Sequence, residues 1–204
     1  MFRYLLLILS FGFFLSCAND KFETPSDLGK AFFNTLKEIE DEEDISILHK
    51  YFLTKEEYGE YLDLTGFSGN IERFIIERNR MVYERFNSEI FSDILDGWDS
   101  EEMKKLNIER DSLYKIDDRD EYKKAEERYS KRRNALHWKR YKQIMDDAEY
   151  RSFSRGRMKR GAKTLGINLI GSRSYIHYVF QDEADKIRIR EMFKTKKGWK
   201  ILEW

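Results

Sequence analysis

The residue in this sequence with the clearest capacity for covalent chemistry is Cys17. It is the only cysteine in the 204-residue chain, and it follows the apolar run of residues 4–15, which is broken only by Ser10 and Gly12. A lone thiol cannot form an internal disulfide. Cys17 is therefore either an ordinary small apolar residue or the site of a covalent modification.

The segment that contains Cys17 has the pattern of a secretory signal peptide. Arg3 supplies a positive charge before the apolar run, and the twelve residues of that run fall short of the roughly 20 that an α-helix needs to span a bilayer. Ordinary cleavage prefers small residues at positions −3 and −1. Ser16 is small, but Phe14 is not.

The tetrapeptide "FLSC" at residues 14–17 resembles the lipobox of bacterial lipoproteins. The resemblance implies that Cys17 carries a diacylglyceryl group, that cleavage falls between Ser16 and Cys17, and that a lipid anchors the chain to the cell envelope. Phe14 departs from the more common Leu. Because Ala18 and not Asp follows the cysteine, the resemblance favours the outer over the inner membrane. Ordinary secretion and an uncleaved anchor are the alternatives.

A second candidate site is the basic segment "KRRNALHWKRYKQ" at residues 131–143. It has six basic residues, no acid, and the aromatic side chains of Trp138 and Tyr141 among the cations. Such a pattern can bind nucleic acid, but export argues against that partner. The sequence therefore indicates either a surface for anionic lipid headgroups or a solvated helix face that balances acidic regions elsewhere. The basic residues are Lys131, Arg132, Arg133, Lys139, Arg140 and Lys142.

A third candidate lies in the C-terminal strands. His177 alternates with Tyr175, so both side chains are expected on one face of a strand, and with Trp199 they could line a small-ligand pocket. A hydrogen-bonded core histidine is the alternative. The three histidines have no metal-ligand spacing, and GxSxG and Walker motifs are absent, so we predict no metal, cofactor or catalytic set.

Charge is distributed unevenly along a chain whose formal net charge is zero. Residues 17–127 carry a net charge of −14, and residues 128–163 carry +10. Charged residues make up 37% of the chain, but aromatic residues make up 15% and recur periodically, which indicates a folded domain. The opposite charges either pack near each other or present a dipolar surface to a partner, such as an envelope protein.

The elements that must position these residues follow from periodicity and capping. Apolar residues at helical spacing predict helices at about 25–40, 45–52, 54–62, 71–97, from 99 or 100 onwards, and at 119–150. Thr24 with Asp27, and Thr54 with Glu57, are predicted capping boxes. From residue 174 the period changes to two, which predicts two or three antiparallel strands in a meander, with a further strand at 164–170.

Helices followed by antiparallel strands predict an α+β fold, in which the helices pack on a C-terminal sheet. We expect a signal peptide at 1–16, a lipidated tether at 17–24 and one domain at 25–204, mainly helical to residue 160 and stranded from 163. The N-terminal helix and the closing hairpin "GWKILEW" resemble NTF2-like cone folds.

Two functions are consistent with these patterns. The first is a membrane-anchored, non-catalytic binding or structural module of the envelope. The second, implied by the NTF2-like resemblance, is a small-ligand-binding or enzymatic domain with a pocket near Tyr175 and His177.

Overall fold

The computed structural model describes residues 21–91, 100–159, 162, 165–171 and 173–204. Helices precede strands along most of the chain, which confirms the predicted α+β class. The helical elements are α1 (Pro25–Glu38), a 3₁₀ helix (Glu43–Tyr51), α2 (Lys55–Thr65), α3 (Ile71–Arg85) with its π-helical continuation (Phe86–Phe91), α4 (Glu101–Leu113) and α5 (Arg119–Asp147). The strands are β1 (Glu149–Ser154), β2 (Leu169–Ile170), β3 (Ser174–Phe180), β4 (Glu183–Ile189), β5 (Glu191–Thr195) and β6 (Gly198–Glu203).

The helices begin where their capping residues predict. The Thr24 hydroxyl accepts a hydrogen bond from the backbone N–H of Asp27, whose carboxylate accepts one from the N–H of Thr24. Thr54 and Glu57 form the same reciprocal pair at the start of α2. Each pair satisfies two backbone donors that a helix leaves open, so both predicted capping boxes are confirmed.

The strands are antiparallel, as predicted, but they divide between two three-stranded sheets. One sheet has the order β1-β3-β4 and the other the order β2-β5-β6. The chain leaves the first sheet after Ile189 and enters the second at Glu191, where the register shifts. The apolar phase shifts here, because Arg190 and Glu191 are consecutive polar residues between Ile189 and Met192. Such a shift fits a bulge as well as a change of sheet, and pairing partners distant in sequence decide between them.

Strand β1 lies in a segment that the sequence assigns to the end of α5 and a basic loop. Helix α5 ends at Asp147, three residues earlier than expected, because the backbone of Ala148 is extended. A register shift between Tyr150 and Ser152 allows Tyr150 and Phe153, three residues apart, to pack against the core. The ring of Phe153 lies directly over Gly29 of α1, so that helix and strand approach closely.

The main core lies between α1 and the two sheets. Helix α1 packs against β1, β3 and β6. Phe32 of α1 contacts the rings of Tyr51, Phe52 and Trp204, all of which are buried. The hydroxyl of Tyr141 on α5 donates a hydrogen bond to the carbonyl of Leu36 at 2.8 Å. Burial strongly raises the pKa of this Tyr141 hydroxyl, which stays protonated and holds α5 against α1.

Helix α5 packs against two parts of the protein, the body of the domain and helix α4. Tyr141, Ile144 and Met145 in its C-terminal part are buried against the body of the domain. Its N-terminal part packs against α4 around a separate apolar cluster of Leu106, Leu113 and Tyr129. A 29-residue helix is about 43 Å long, which leaves room for both contacts. We call α4 and residues 119–136 of α5 the helical arm. Across the described residues, no helix is long and apolar enough to cross a membrane.

Candidate functional site

The six predicted basic residues of α5 do not form one surface. Lys142 donates a hydrogen bond to the carbonyl of Lys37 at 2.9 Å and lies 3.3 Å from the Asp146 carboxylate. The guanidinium of Arg140 lies 5.6 Å from the ring centre of Phe180. These two cations join α5 to α1 and to β3, so they contribute to the architecture of the body.

The other four basic residues are on or near the arm. Arg132 forms an ion pair with Glu109 of α4 at 2.6 Å, and Arg133 lies 5.8 Å from the ring centre of Tyr129. Lys131 and Lys139 are exposed. Along a helix, Lys131 and Arg132 lie on either side of Arg128, at about 60° and 40° from it, and Arg133 lies about 140° from it. Of the predicted basic residues, Lys131 and Arg132 therefore lie on one side of α5, and Arg128 lies on the same side.

These three basic residues border an open groove of about 680 Å³ between α4 and α5. The apolar lining consists of Leu113 and Ile116 on one side and Ala125 and Ala135 on the other. A volume in this range suits a small ligand or a few side chains of a partner. The groove is completed by Glu109, Ser112, Arg128, Lys131 and Arg132.

The charges around the groove are unbalanced. Glu109 is the one acidic residue of its lining, and it is already paired with Arg132. Among the described residues, Arg128 and Lys131 form no ion pair, and both are exposed. The site therefore combines an apolar floor with a net positive rim, which favours a ligand that is apolar and anionic.

The sequence could not reveal this groove because α4 has no motif of its own. Its weak helical amphipathicity leaves Ile108 exposed, and Leu106 and Leu113 are the buried residues that face α5. The five residues 114–118 that connect the two helices are short enough for a helical hairpin, but a short connection does not predict a groove.

The predicted pocket residues are distributed over two regions. Tyr175 and His177 lie on the same half-exposed face of β3, with ring centres 6.2 Å apart. Trp199 is buried in the main core, where β6 belongs to the other sheet. Ile176 and Tyr178, which alternate with His177, are the residues of β3 that face the core. The three predicted residues therefore do not surround one cavity.

His177 has one polar partner in the described part of the chain. Its Nε2 atom lies 2.8 Å from the Ser154 hydroxyl, across the β1–β3 pair. The neighbouring strand contributes Lys186, whose ammonium group lies 5.2 Å from the ring centre of Tyr175. A serine–histidine contact can activate a hydroxyl when a third group orients the imidazole, but here the nearby charged side chain is a cation.

The acidic run "EIEDEED" forms a turn between α1 and the 3₁₀ helix. The carboxylate of Asp41 accepts hydrogen bonds from the backbone N–H groups of Glu43 and Asp44, and Asp44 accepts one from Glu40. These carboxylates therefore cap the local backbone. The described residues contain no group of three or more His, Cys, Asp or Glu side chains arranged to hold a metal ion.

Ser16 and Cys17 lie outside the described residues, so the predicted lipidation site has no structural description here. Comparisons of the chain with protein-family models, with curated proteins and with solved structures found no match.

Proposed function

We propose that this protein is a lipid-anchored binding module of the bacterial cell envelope, and that the helical arm binds its partner. The lipobox resemblance at Cys17 supports the anchor. The observation that carries the binding role is the α4–α5 groove, with its apolar floor and positively charged rim. The arm has its own apolar cluster apart from the main core, so its surface can be shaped for a partner.

The occupant that fits this groove is an acidic, amphipathic segment of an envelope protein. Apolar side chains of such a segment would cover the alanine and leucine floor, while its carboxylates would pair with Arg128 and Lys131. Helix-in-groove recognition of this kind uses apolar anchors at i, i+3, i+4 and i+7. Charge complementarity at the rim would set the orientation and the rate of association.

A pair of synthetic helical peptides tests this role. Both carry leucine at i, i+3, i+4 and i+7, and the remaining positions are glutamate in one and lysine in the other. We expect fluorescence anisotropy to show binding of the acidic peptide and weaker binding in high salt, because exposed charges are screened. The double variant R128E/K131E should bind at least about ten-fold more weakly, which is 1.4 kcal/mol.

The matched control is K123E/K139E, which makes the same change in net charge on exposed residues of the same helix outside the groove lining. Its affinity for the acidic peptide should stay within about three-fold of wild type, since long-range charge effects are screened. Equal losses in the two double variants would show general charge attraction and would contradict a binding role for the groove.

The alternative proposal is an NTF2-like small-ligand-binding or enzymatic domain that uses Tyr175 and His177. The observation in its favour is the 2.8 Å contact between His177 and Ser154. The half-exposed position of both rings on an open sheet face supports a surface contact more than a reaction chamber.

Replacing His177 by alanine separates the two proposals. For a binding module, H177A should retain binding of the acidic peptide and lose less than about 1 kcal/mol of unfolding free energy, because one partly exposed hydrogen bond is removed. Peptide binding and urea unfolding are the two measurements. A folded H177A that had lost a measurable turnover or small-ligand affinity would favour the alternative.

A further inference from the structure

The place where the N-terminal tether joins the domain is defined by Phe22. Its carbonyl accepts a hydrogen bond from the backbone N–H of Trp199 at 2.8 Å, and its ring stacks on Tyr51 with centres 5.6 Å apart. The side chain is buried. Phe22 is therefore fixed against the start of β6 and beside the β5–β6 turn.

This attachment places one end of the domain near the lipid. Phe22 is the fifth residue after Cys17, and five extended residue steps span at most about 17 Å. If Cys17 carries the lipid, the surface around Phe22 lies within that distance of the bilayer. The sequence gives the length of the tether. The position of Phe22 in the fold gives the side of the domain to which the tether is attached.

Lysines surround the same attachment point. Lys196 and Lys197 are exposed in the β5–β6 turn, directly before Gly198, which contacts the Phe22 backbone. Lys50 is exposed beside Tyr51, with its ammonium group 5.1 Å from that ring centre. We call Lys50, Lys196 and Lys197 the lysine pole. The acidic residues of this region include Glu23, which pairs with Lys21 at 3.0 Å, and Glu56, which interacts with Lys197. The buried carboxylate of Glu57 accepts a hydrogen bond from the Thr195 hydroxyl beside the turn.

A further lysine, Lys200, connects Phe22 to the backbone of Lys50. Lys200 is largely buried, its ammonium group lies 5.8 Å from the ring centre of Phe22, and it donates a hydrogen bond to the Lys50 carbonyl at 2.7 Å. This bond joins the backbone that carries Lys50 to β6. The lysine pole and the tether attachment are therefore parts of one rigid surface.

We propose that the lysine pole binds anionic lipid headgroups and orients the domain on the membrane. The inference rests on the lipid anchor of the proposed function. Cations near an anionic membrane surface are attracted to it over a Debye length of roughly 10 Å. A tether of at most about 17 Å holds the pole close enough to the bilayer to enter that range. The partner is the phospholipid surface itself.

The basic residues of α5 are not part of this contact. The contact of Lys142 with Lys37 lies twelve residues along α1 from Pro25, which is about 18 Å of helix. Lys131 and Lys139 belong to the part of α5 that precedes this contact. The lysine pole and the lining of the groove have no residue in common.

Lysine footprinting tests the orientation directly. The lipidated protein is reconstituted into vesicles of phosphatidylcholine alone, or with 30% phosphatidylglycerol (about one anionic lipid in three), and its lysines are acetylated briefly and measured by mass spectrometry. We expect Lys50, Lys196 and Lys197 to react at least about three-fold more slowly on the anionic vesicles, and high salt to remove this protection. Lys131 and Lys139 should react equally on both.

The double variant K196Q/K197Q should lose most of the remaining protection at Lys50, because each lysine contributes about five-fold to attraction by an anionic surface. K131Q/K139Q is the matched control and should leave Lys50 protected. Equal reactivity of the pole on both vesicles, or protection of Lys131 and Lys139 instead, would overturn the orientation while the anchor stands. The intact mass of the same sample checks the anchor. A chain without lipid mass would overturn both the lipid anchor and the proposed orientation.

Discussion

Replacing Cys17 by alanine is expected to abolish lipid attachment completely. The wild-type protein should have the mass of residues 17–204 plus a diacylglyceryl group and any further acyl chain, and Cys17→Ala should have no lipid mass. The chain has no second cysteine that could take over the modification. Because two acyl chains anchor a protein stably and one does so only marginally, losing them removes the main attraction to the membrane.

Intact-mass spectrometry of both proteins, purified from whole cells dissolved in detergent, makes the measurement. Asn19→Ala is the control, because it changes a residue two positions away and should leave the lipid in place. A wild-type protein without lipid mass would contradict the anchor. A lipid on both wild type and Cys17→Ala would show that another residue carries it.

Replacing Gly198 by alanine is expected to give a large loss of stability at the contact of β6 with Phe22. Gly198 has φ = +120°, a conformation that side chains other than glycine rarely adopt. A Cβ atom there would lie 2.8 Å from both the backbone nitrogen and the carbonyl oxygen of Phe22. Backbone strain and this clash together should cost about 3 kcal/mol of unfolding free energy.

Gly66→Ala provides the matched control for Gly198→Ala. Gly66 also has a positive φ, +69°, but an added Cβ would meet no atom within 4 Å. In Gly66→Ala, backbone strain alone should lower the unfolding free energy by about 1 kcal/mol. Urea unfolding of both variants measures the difference, which isolates the contact with Phe22. If the two variants lost equal stability, Phe22 would not be held against Gly198 as the structure shows it.

The local parts of the fold could be predicted because their causes lie within a few residues. The capping boxes at Thr24 and Thr54 depend on a side chain three positions away, and both form as expected. The helix from residue 71 begins where expected, although its predicted end near residue 97 lies outside the described residues. Alternation located β3 because its core-facing residues recur strictly every second position.

The strand β1 could not be predicted because a bulge changes the spacing of its core residues. Tyr150 and Phe153 are three positions apart, a spacing typical of helices, and only the pairing with β3 makes both face the core. The division into two sheets was hidden for a related reason. The apolar positions shift phase between Ile189 and Met192, but such a shift fits a bulge within one strand as well as a change of sheet.

The candidate sites show the same limit. The basic composition of residues 131–143 was evident, but composition does not indicate which cations pair within the protein. Lys142 binds a carbonyl 105 residues earlier, and Arg132 pairs with an acid 23 residues earlier. Such contacts hold Lys142 against α1 and Arg132 against α4, whereas Lys131 is exposed at the groove.

The sequence by itself determined the α+β class, the helix starts and a specific expectation for Cys17, since these depend on composition, periodicity and short motifs. The tertiary structure alone decided which charged residues border the α4–α5 groove and which lysines surround the tether at Phe22. The physical reason is that Gly198, Trp199 and Lys200 reach Phe22 through contacts between residues far apart in the chain, and packing, not local preference, selects those contacts.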